Sequence, residues 1–189
     1  VYTIPDFCNP TGRVMSLERR HALVALAAEF NLLVICDDIY TMLNYGDRAL
    51  LPPRVKSLDK SAKGHVVSSG SFSKILAPGV RVGWVEAGPF VIRAFDHSGF
   101  GVSGGCPNQL ASGVIRNLLK SGEMDKHIDF LRSTFADRKQ RMVQAMRETW
   151  PAQVTFTEPY GGFFIWCELP AGRNAADLLA MCKSVRHYR

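Results

Sequence analysis

Four short segments of the chain are mostly apolar, and each is followed by a turn or a polar residue. These segments are residues 1–5, 32–36, 65–69 and 82–86. Continuous apolar runs of this length are typical of strands that are buried on both faces of a parallel sheet. The pattern therefore predicts a mostly parallel sheet, flanked by helices, in an α/β fold.

Stretches with helical spacing separate these strands. Ser16 has the residue type of a helix N-cap, and Leu23, Ala27 and Phe30 then recur on one face of a core-packed helix. Residues 43–64 are richer in proline, glycine and charge, which favours loop structure. Three further helices are predicted, at about residues 89–97, 107–120 and 124–149.

After residue 150 the pattern changes to short strands. These strands are predicted at 154–156 and 161–169, and a last helix is predicted from about 175 to 181. The long helix before the change is interpreted as a connection between two domains. The predicted division is part of a large α/β domain (1–122), the connecting helix (123–149) and the start of a small α+β domain (150–189).

Composition and charge narrow the class of protein. The formal net charge is +6, but the lysines and arginines are spread along the chain, so we expect no nucleic-acid partner. No apolar run approaches the ~20 residues of a membrane span, so we expect no membrane partner. The five cysteines lack a C-x-x-C spacing, which indicates neither a zinc site nor a disulfide framework. A reducing compartment fits this usage, and we expect a cytoplasmic protein, with a mitochondrial location left open.

One lysine has an unusual setting. Lys74 follows a predicted strand and the small residues Gly70 to Ser73, and Pro78-Gly79 then predicts a turn before Arg81. An amine, two hydroxyls and a guanidinium are thus gathered at one strand end. This set suits a ligand that carries both an aldehyde, which an amine attacks, and a phosphate, which hydroxyls and a guanidinium bind.

Other polar residues follow the neighbouring predicted strands. Asp37 and Tyr40 come directly after the run 32–36, and Asn9 lies in a turn after the first segment. Taken singly, each is more often turn chemistry or packing than a functional group. Because ligands of open α/β sheets bind at the carboxyl ends of strands, we expect these residues to lie near Lys74.

The ordered set of motifs resembles the class I/II, or fold type I, pyridoxal-phosphate-dependent aminotransferases. The matching motifs are S-x-S-K-x-x-x-P-G-x-R-x-G from Ser71, N-P-T-G from Asn9, D-x-x-Y from Asp37 and the Gly161–Trp166 segment. Within that family, the overall residue pattern of the chain is similar to that of α-aminoadipate/kynurenine-type and multi-substrate enzymes. The resemblance implies the large domain of that fold, incomplete at its N-terminus, followed by the start of the small domain.

The resemblance assigns three residues a catalytic role with pyridoxal 5'-phosphate as the cofactor. Lys74 would hold the cofactor as an imine and then act as the base. Asp37 would pair with the pyridine nitrogen and keep it protonated, which makes the ring an electron sink. Tyr40 would donate a hydrogen bond to the phenolate oxygen of the ring.

The same resemblance assigns the remaining cofactor contacts. Asn9 would join Tyr40 at the phenolate oxygen, while Ser71, Ser73 and Arg81 would bind the phosphate. No metal is expected. The family's glycine-rich phosphate turn and its carboxylate-binding arginine have no counterpart in these residues, so we expect the 189-residue chain alone to be inactive.

The implied function is transfer of an amino group from an α-amino acid to a 2-oxo acid. The full-length protein is expected to be a homodimer, with residues 98–105 near the interface. Three alternatives stay open, because the same residues prepare a carbanion without deciding its fate. They are a carbon–sulfur lyase, an aminocyclopropane-carboxylate synthase, and the aminotransferase-like effector domain of a transcription regulator.

Overall fold

Three parallel strands and one antiparallel strand form the central sheet. The computed structural model describes residues 1–99 and 108–184. The strands lie in the order β1 (Tyr2–Thr3), β2 (Val34–Asp37), β3 (Val66–Ser71) and β4 (Gly83–Glu86). The pairs β1–β2 and β2–β3 are parallel, and β3–β4 is antiparallel. The predicted α/β sheet is therefore confirmed, and the segments that follow its parallel strands meet at one edge.

The first helix, α1 (Leu17–Glu29), packs against one face of the sheet. Ser16 caps it as predicted, because its side chain accepts a hydrogen bond of 3.4 Å from the Arg19 amide. Ala27 is fully buried in a cluster with strand residues such as Val34. The predicted core position of Phe30 is wrong, since this C-cap residue is 60% exposed.

The segment predicted as loop, 43–64, contains helical structure. It includes the helix α2 (Val55–Leu58) and the 3-10 turn Arg48–Leu50, and a further 3-10 turn, Thr41–Leu43, lies at its start. Val55 is completely buried in the same cluster as Val34, and this burial stabilises a helix whose composition favours a loop. Tertiary packing has thus overridden local propensity here.

The other helices lie close to their predicted positions. They are α3 (Pro89–Asp96), α4 (Gln109–Ser121), α5 (Glu123–Thr149) and α6 (Ala175–Ser184). A second core cluster joins buried residues of α4 and α5, such as Ile115 and Met124, to the segments that follow β1, β2 and β3. No helix in the described ranges is both long and apolar enough to cross a membrane.

A small two-stranded antiparallel sheet follows α5. It consists of β5 (Thr155–Phe156) and β6 (Cys167–Glu168), so the strand predicted over 161–169 is much shorter than expected. The preceding Gly161 instead lies against the ring of Phe7, where an added Cβ would sit 2.1 Å from a ring carbon. This close approach holds the C-terminal segment against the loop after β1. The division into domains at 122 and 149 stays a prediction.

Candidate active site

Two consecutive carboxylates at the end of β2 point to different surroundings. Asp37 Oδ2 accepts a 2.6 Å hydrogen bond from the Tyr2 hydroxyl on β1. Asp38 Oδ2 instead accepts a hydrogen bond from buried Ser68, while Asp38 Oδ1 has no partner in the described part of the chain. Burial raises the pKa of Asp38, although the Ser68 donor opposes this. Asp37 is therefore the carboxylate available to a ligand.

Tyr2 is not singled out by the sequence, because an aromatic residue in a strand is usually a packing residue. Its hydrogen bond to Asp37, followed by burial and the charge of that carboxylate, raises the pKa of Tyr2 to about 12. The phenol therefore remains a donor at neutral pH. The contact depends on the strand order, which places β1 beside β2 and which no local sequence pattern predicts.

Tyr40 and Asn9 lie together beyond the ends of β2 and β1. Tyr40 is buried, and its ring makes edge-on contacts with Phe163 and Phe164 at centroid distances of 5.7 and 5.8 Å. Burial and the charge of Asp37 raise the pKa of Tyr40, and a hydrogen bond with the Asn9 side chain opposes this. Because Asn9 and Tyr40 are in contact, two side chains that can donate hydrogen bonds lie next to each other.

The loop that carries Asn9 is closed by its own backbone. The amide of Cys8 donates to the Arg13 carbonyl at 2.9 Å, and the amide of Gly12 donates to the Cys8 carbonyl at 2.6 Å. The Asn9–Pro10 peptide bond is cis. Because the two hydrogen bonds fix both ends of the loop, Asn9 is presented from a tight turn and remains exposed.

A buried ion pair holds the segment that leads into this loop. Arg20 of α1 bonds the Asp6 carboxylate, and Thr41, which follows Tyr40, donates to the other oxygen of Asp6 at 2.8 Å. Arg20 also donates to the carbonyl of Met15 at 2.9 Å. Asp6 thus links the segment that carries Asn9 to the segment that carries Tyr40.

Lys74 lies in the tight turn that follows β3. Phe72 and Ile75 on either side of it are buried in the core, so the intervening residues Ser73 and Lys74 face outward. The amide of Leu76 closes the turn on the Phe72 carbonyl at 2.8 Å. Within the described residues, no hydrogen bond or ion pair engages the Lys74 amine, which is half-buried.

Arg81 folds back onto the lysine turn. Its Nη1 donates to Ser73 Oγ at 3.3 Å and to the Pro78 carbonyl at 3.0 Å. Arg81 has a left-handed backbone with φ of 50°, and this conformation ends the 3-10 turn Pro78–Val80. Ser71 Oγ accepts a 3.1 Å hydrogen bond from the Ser73 amide, so both predicted serines and the arginine lie around one turn.

The structure thus brings the predicted residues together in two contacting pairs. One pair is Asn9 with Tyr40, and the other is Ser73 with Arg81. Asp37 is linked to the first pair because its charge raises the pKa of Tyr40. Lys74 lies at the same edge of the sheet, but in the described ranges it has no direct bond to either pair. The register places Asp37 beside Ser69 of β3, close to the start of the lysine turn.

The donors at this edge fit pyridoxal phosphate chemically. One amine, one carboxylate, a pair of neutral donors and a serine–arginine cluster match an aldehyde, a pyridine nitrogen, a phenolate and a phosphate respectively. No group of three or more histidine, cysteine or acidic side chains that could hold a metal ion occurs in the described part of the chain. The region 98–105, expected near an interface, lies outside the described residues apart from its first two positions.

Comparison with known protein families matches residues 5–185 to Aminotransferase class I and II. The chain belongs to this family. The match extends over the loop of Asn9, the end of β2, the lysine turn and the C-terminal segment, so the resemblance predicted from the motifs is confirmed.

Individual relatives agree with this assignment. The chain is 35% identical over 189 residues to Aromatic-amino-acid aminotransferase 1 of Thermococcus litoralis. The aligned region covers 99% of this chain and 44% of the relative. It superposes on kynurenine aminotransferase of Pyrococcus horikoshii, solved in complex with PMP, with a TM-score of 0.87 and 35% identity over 97% of this chain and 44% of that one. The chain therefore spans less than half the length of these relatives.

A relative of another kind also matches. The uncharacterized HTH-type transcriptional regulator YdcR of Escherichia coli is 36% identical over 172 residues, which is 90% of this chain and 35% of the regulator. The family fold thus occurs both in proteins named as aminotransferases and in proteins named as regulators.

Proposed function

We propose that the full-length protein transfers an amino group from an α-amino acid to a 2-oxo acid, with pyridoxal 5'-phosphate as its cofactor. The observation that carries the proposal is the lysine turn. Arg81 reaches back to Ser73 beside Lys74, at the edge of the sheet where Asp37 ends the neighbouring strand. A solvated surface lysine needs neither the returning arginine nor a carboxylate at the end of the neighbouring strand.

The residues at this edge of the sheet would each bind a different group of the cofactor. Arg81, Ser71 and Ser73 would bind the phosphate, since a guanidinium and two hydroxyls match its charged oxygens. Asp37 would hold the proton of the pyridine nitrogen. Tyr40 and Asn9 would donate to the phenolate oxygen. When bound, the cofactor supplies an electron sink that stabilises the electron pair left on the substrate α-carbon.

The chemistry of the chain's own residues follows from these positions. Lys74 Nζ would bond to the cofactor aldehyde in the resting protein. As a free amine, the same nitrogen would remove the proton from the substrate α-carbon. Phe72 and Ile75, buried on either side of Ser73 and Lys74, hold the backbone of the turn and so keep this base in place.

The partners of the full-length protein are also part of this proposal. Its substrates would be an amino acid and a 2-oxo acid. We expect it to be a homodimer, as the resemblance to the family implies. Light scattering of the full-length protein measures this directly.

The test of the proposal is reduction with borohydride in the presence of pyridoxal phosphate. We expect peptide mapping of the full-length protein to find the reduced cofactor on Lys74 and Lys74→Ala to lose both the label and amino transfer. Lys63→Ala is the matched control, because Lys63 is an exposed lysine that precedes β3 rather than following it. Attachment of the cofactor to any other lysine would contradict the proposal.

A second candidate function is that of a regulator's effector domain, favoured by the match to YdcR. Such a protein would also load the cofactor on Lys74, but it would bind DNA through a separate segment and would not turn over substrate repeatedly. Incubation with amino acids and 2-oxoglutarate separates these cases. Multiple turnovers with glutamate formation support the aminotransferase, and release of ammonia with a 2-oxo acid supports a lyase.

A further inference from the structure

The Tyr2–Asp37 hydrogen bond joins the first two strands of the main sheet at the candidate site. Asp37 is the carboxylate that ends β2, and it accepts from the Tyr2 hydroxyl across the β1–β2 pair. Tyr2 itself is 63% exposed, so its side chain is not held there by burial of its ring. Its hydroxyl is instead oriented by the 2.6 Å hydrogen bond that it donates to Asp37.

The register of the two strands explains how this contact forms. Tyr2 is paired with Ile35, and Asp37 lies two residues further along β2. Residues two apart on a strand point to the same face, so Ile35, Asp37 and the facing Tyr2 share one side of the sheet. A tyrosine is long enough to reach diagonally from its own position to that of Asp37.

We propose that Tyr2 is a positioning residue that fixes the Asp37 carboxylate for the pyridine nitrogen of the cofactor. The inference rests on the proposed function, in which Asp37 holds the proton of that nitrogen. A carboxylate at a strand end can rotate about its last side-chain bond. A donor on Oδ2 selects one rotamer and leaves Oδ1 for the ligand, because the two oxygens have separate lone pairs.

The chemistry of the donor supports this role. A phenol whose pKa is raised to about 12 keeps its proton at neutral pH, so Tyr2 remains a neutral hydrogen-bond donor to Asp37. The bond is charge-assisted and therefore stronger than a neutral pair. Tyr2 also lies on the strand next to β2 rather than on a loop, which gives the donor a rigid support.

The experiment replaces Tyr2 with phenylalanine in the full-length protein loaded with cofactor labelled with nitrogen-15 in the ring. Tyr2→Phe deletes only the hydroxyl. We expect the nitrogen-15 resonance to move toward that of an unprotonated pyridine. We also expect kcat to fall about 10-fold, the factor that loss of one hydrogen bond to a charged group produces at the lower end of its range, with KM for the amino donor nearly unchanged.

Tyr45→Phe is the matched control. Its hydroxyl donates to the Gly161 carbonyl at 3.3 Å, so this variant deletes an identical group whose partner is a neutral backbone oxygen. We expect its nitrogen-15 resonance and its kcat to match those of the parent. A general cost of removing a tyrosine hydroxyl would affect both variants alike and would overturn the assignment.

The outcomes separate this inference from the function on which it rests. An unchanged resonance in Tyr2→Phe, together with a shifted resonance in Asp37→Asn, would overturn the role of Tyr2 and leave the function intact. If neither Asp37→Asn nor Lys74→Ala alters the bound cofactor, the proposed function fails, and the role of Tyr2 fails with it. A fall in kcat without a shift of the resonance would also count against the inference.

Discussion

Arg20 Nη2 lies 2.5 Å from Asp6 Oδ1, and both side chains are completely buried. The arginine belongs to α1, and the aspartate belongs to the segment after β1 that leads to Asn9. The second oxygen of Asp6 accepts from Thr41, the residue that follows Tyr40. One ion pair therefore supports both loops that carry the predicted donors to the phenolate oxygen, although neither partner reaches the site itself.

Arg20→Met should destabilise the protein strongly. Removing one partner of a buried pair leaves the other as an uncompensated charge, which costs about 3–5 kcal/mol. Denaturation by urea should show this loss as a lower midpoint. Arg19→Met is the control, because Arg19 is the exposed neighbour on the same helix and should change stability by less than about 0.5 kcal/mol. Equal effects of the two variants would mean that the ion pair is not important for stability.

Gly161→Ala should disturb the loop after β1. The added Cβ would lie 2.1–2.5 Å from three ring carbons of Phe7, whose ring is fully buried and cannot move freely. Overpacking of this kind costs about 1–3 kcal/mol. Gly113→Ala is the matched control, since Gly113 lies in α4 and a Cβ added there would point into open space. We expect Gly113→Ala to retain or raise the melting temperature and Gly161→Ala to lower it.

The sequence predicts most of the framework because that framework depends on local patterns. Apolar runs locate the strands of the main sheet, and Ser16 locates the start of α1. The buried Arg20 could not be predicted in this way, because an arginine on a helix is normally solvent-exposed and its partner Asp6 is 14 residues away. The short strand at Cys167–Glu168 differs from the prediction for a similar reason: the preceding glycines pack on Phe7, and Gly161 forms an isolated bridge with Asn44, a residue distant in sequence, instead of extending β6.

The site shows the same division between local and distant signals. Lys74, Ser73 and Arg81 lie within one motif, so their spacing predicts that they share a turn. The contact of Tyr2 with Asp37 depends on which strand lies beside β2 and in which register. A single sequence does not contain that information in any local pattern, and this is why Tyr2 is absent from the predicted residues.

Arg54 and Glu86 give a prediction about pH. The two guanidinium nitrogens of Arg54 donate to the two carboxylate oxygens at 2.6 and 2.9 Å, and this bond holds the pKa of Glu86 below its ordinary value. Because the folded-state pKa is depressed, the added stability is present above the unfolded value of about 4.3 and is lost as pH falls through the folded value.

Arg54→Met should therefore lower stability at pH 7 and reduce its dependence on pH below about 4.3. Both side chains are more than a third exposed, so solvent screening limits the effect at pH 7 to about 1 kcal/mol or less. Arg141→Met is the control, since Arg141 and its partner Asp137 are 79% and 57% exposed. Urea titrations at several pH values measure both variants, and parallel pH profiles for Arg54→Met and the parent would refute the prediction.

Asp37→Asn should separate cofactor binding from catalysis. The substitution keeps the shape of the side chain and its bond to Tyr2 but removes the negative charge that would hold the proton on the pyridine nitrogen. The phosphate cluster and Lys74 are untouched, so we expect the cofactor to remain bound and turnover to fall about 100- to 1,000-fold, as when one preorganised electrostatic group is removed. Asp38→Asn is the matched control, because the adjacent carboxylate bonds buried Ser68 instead of Tyr2. Steady-state rates and the absorbance of bound cofactor measure both quantities, and near-parent turnover in Asp37→Asn would contradict the role of this carboxylate.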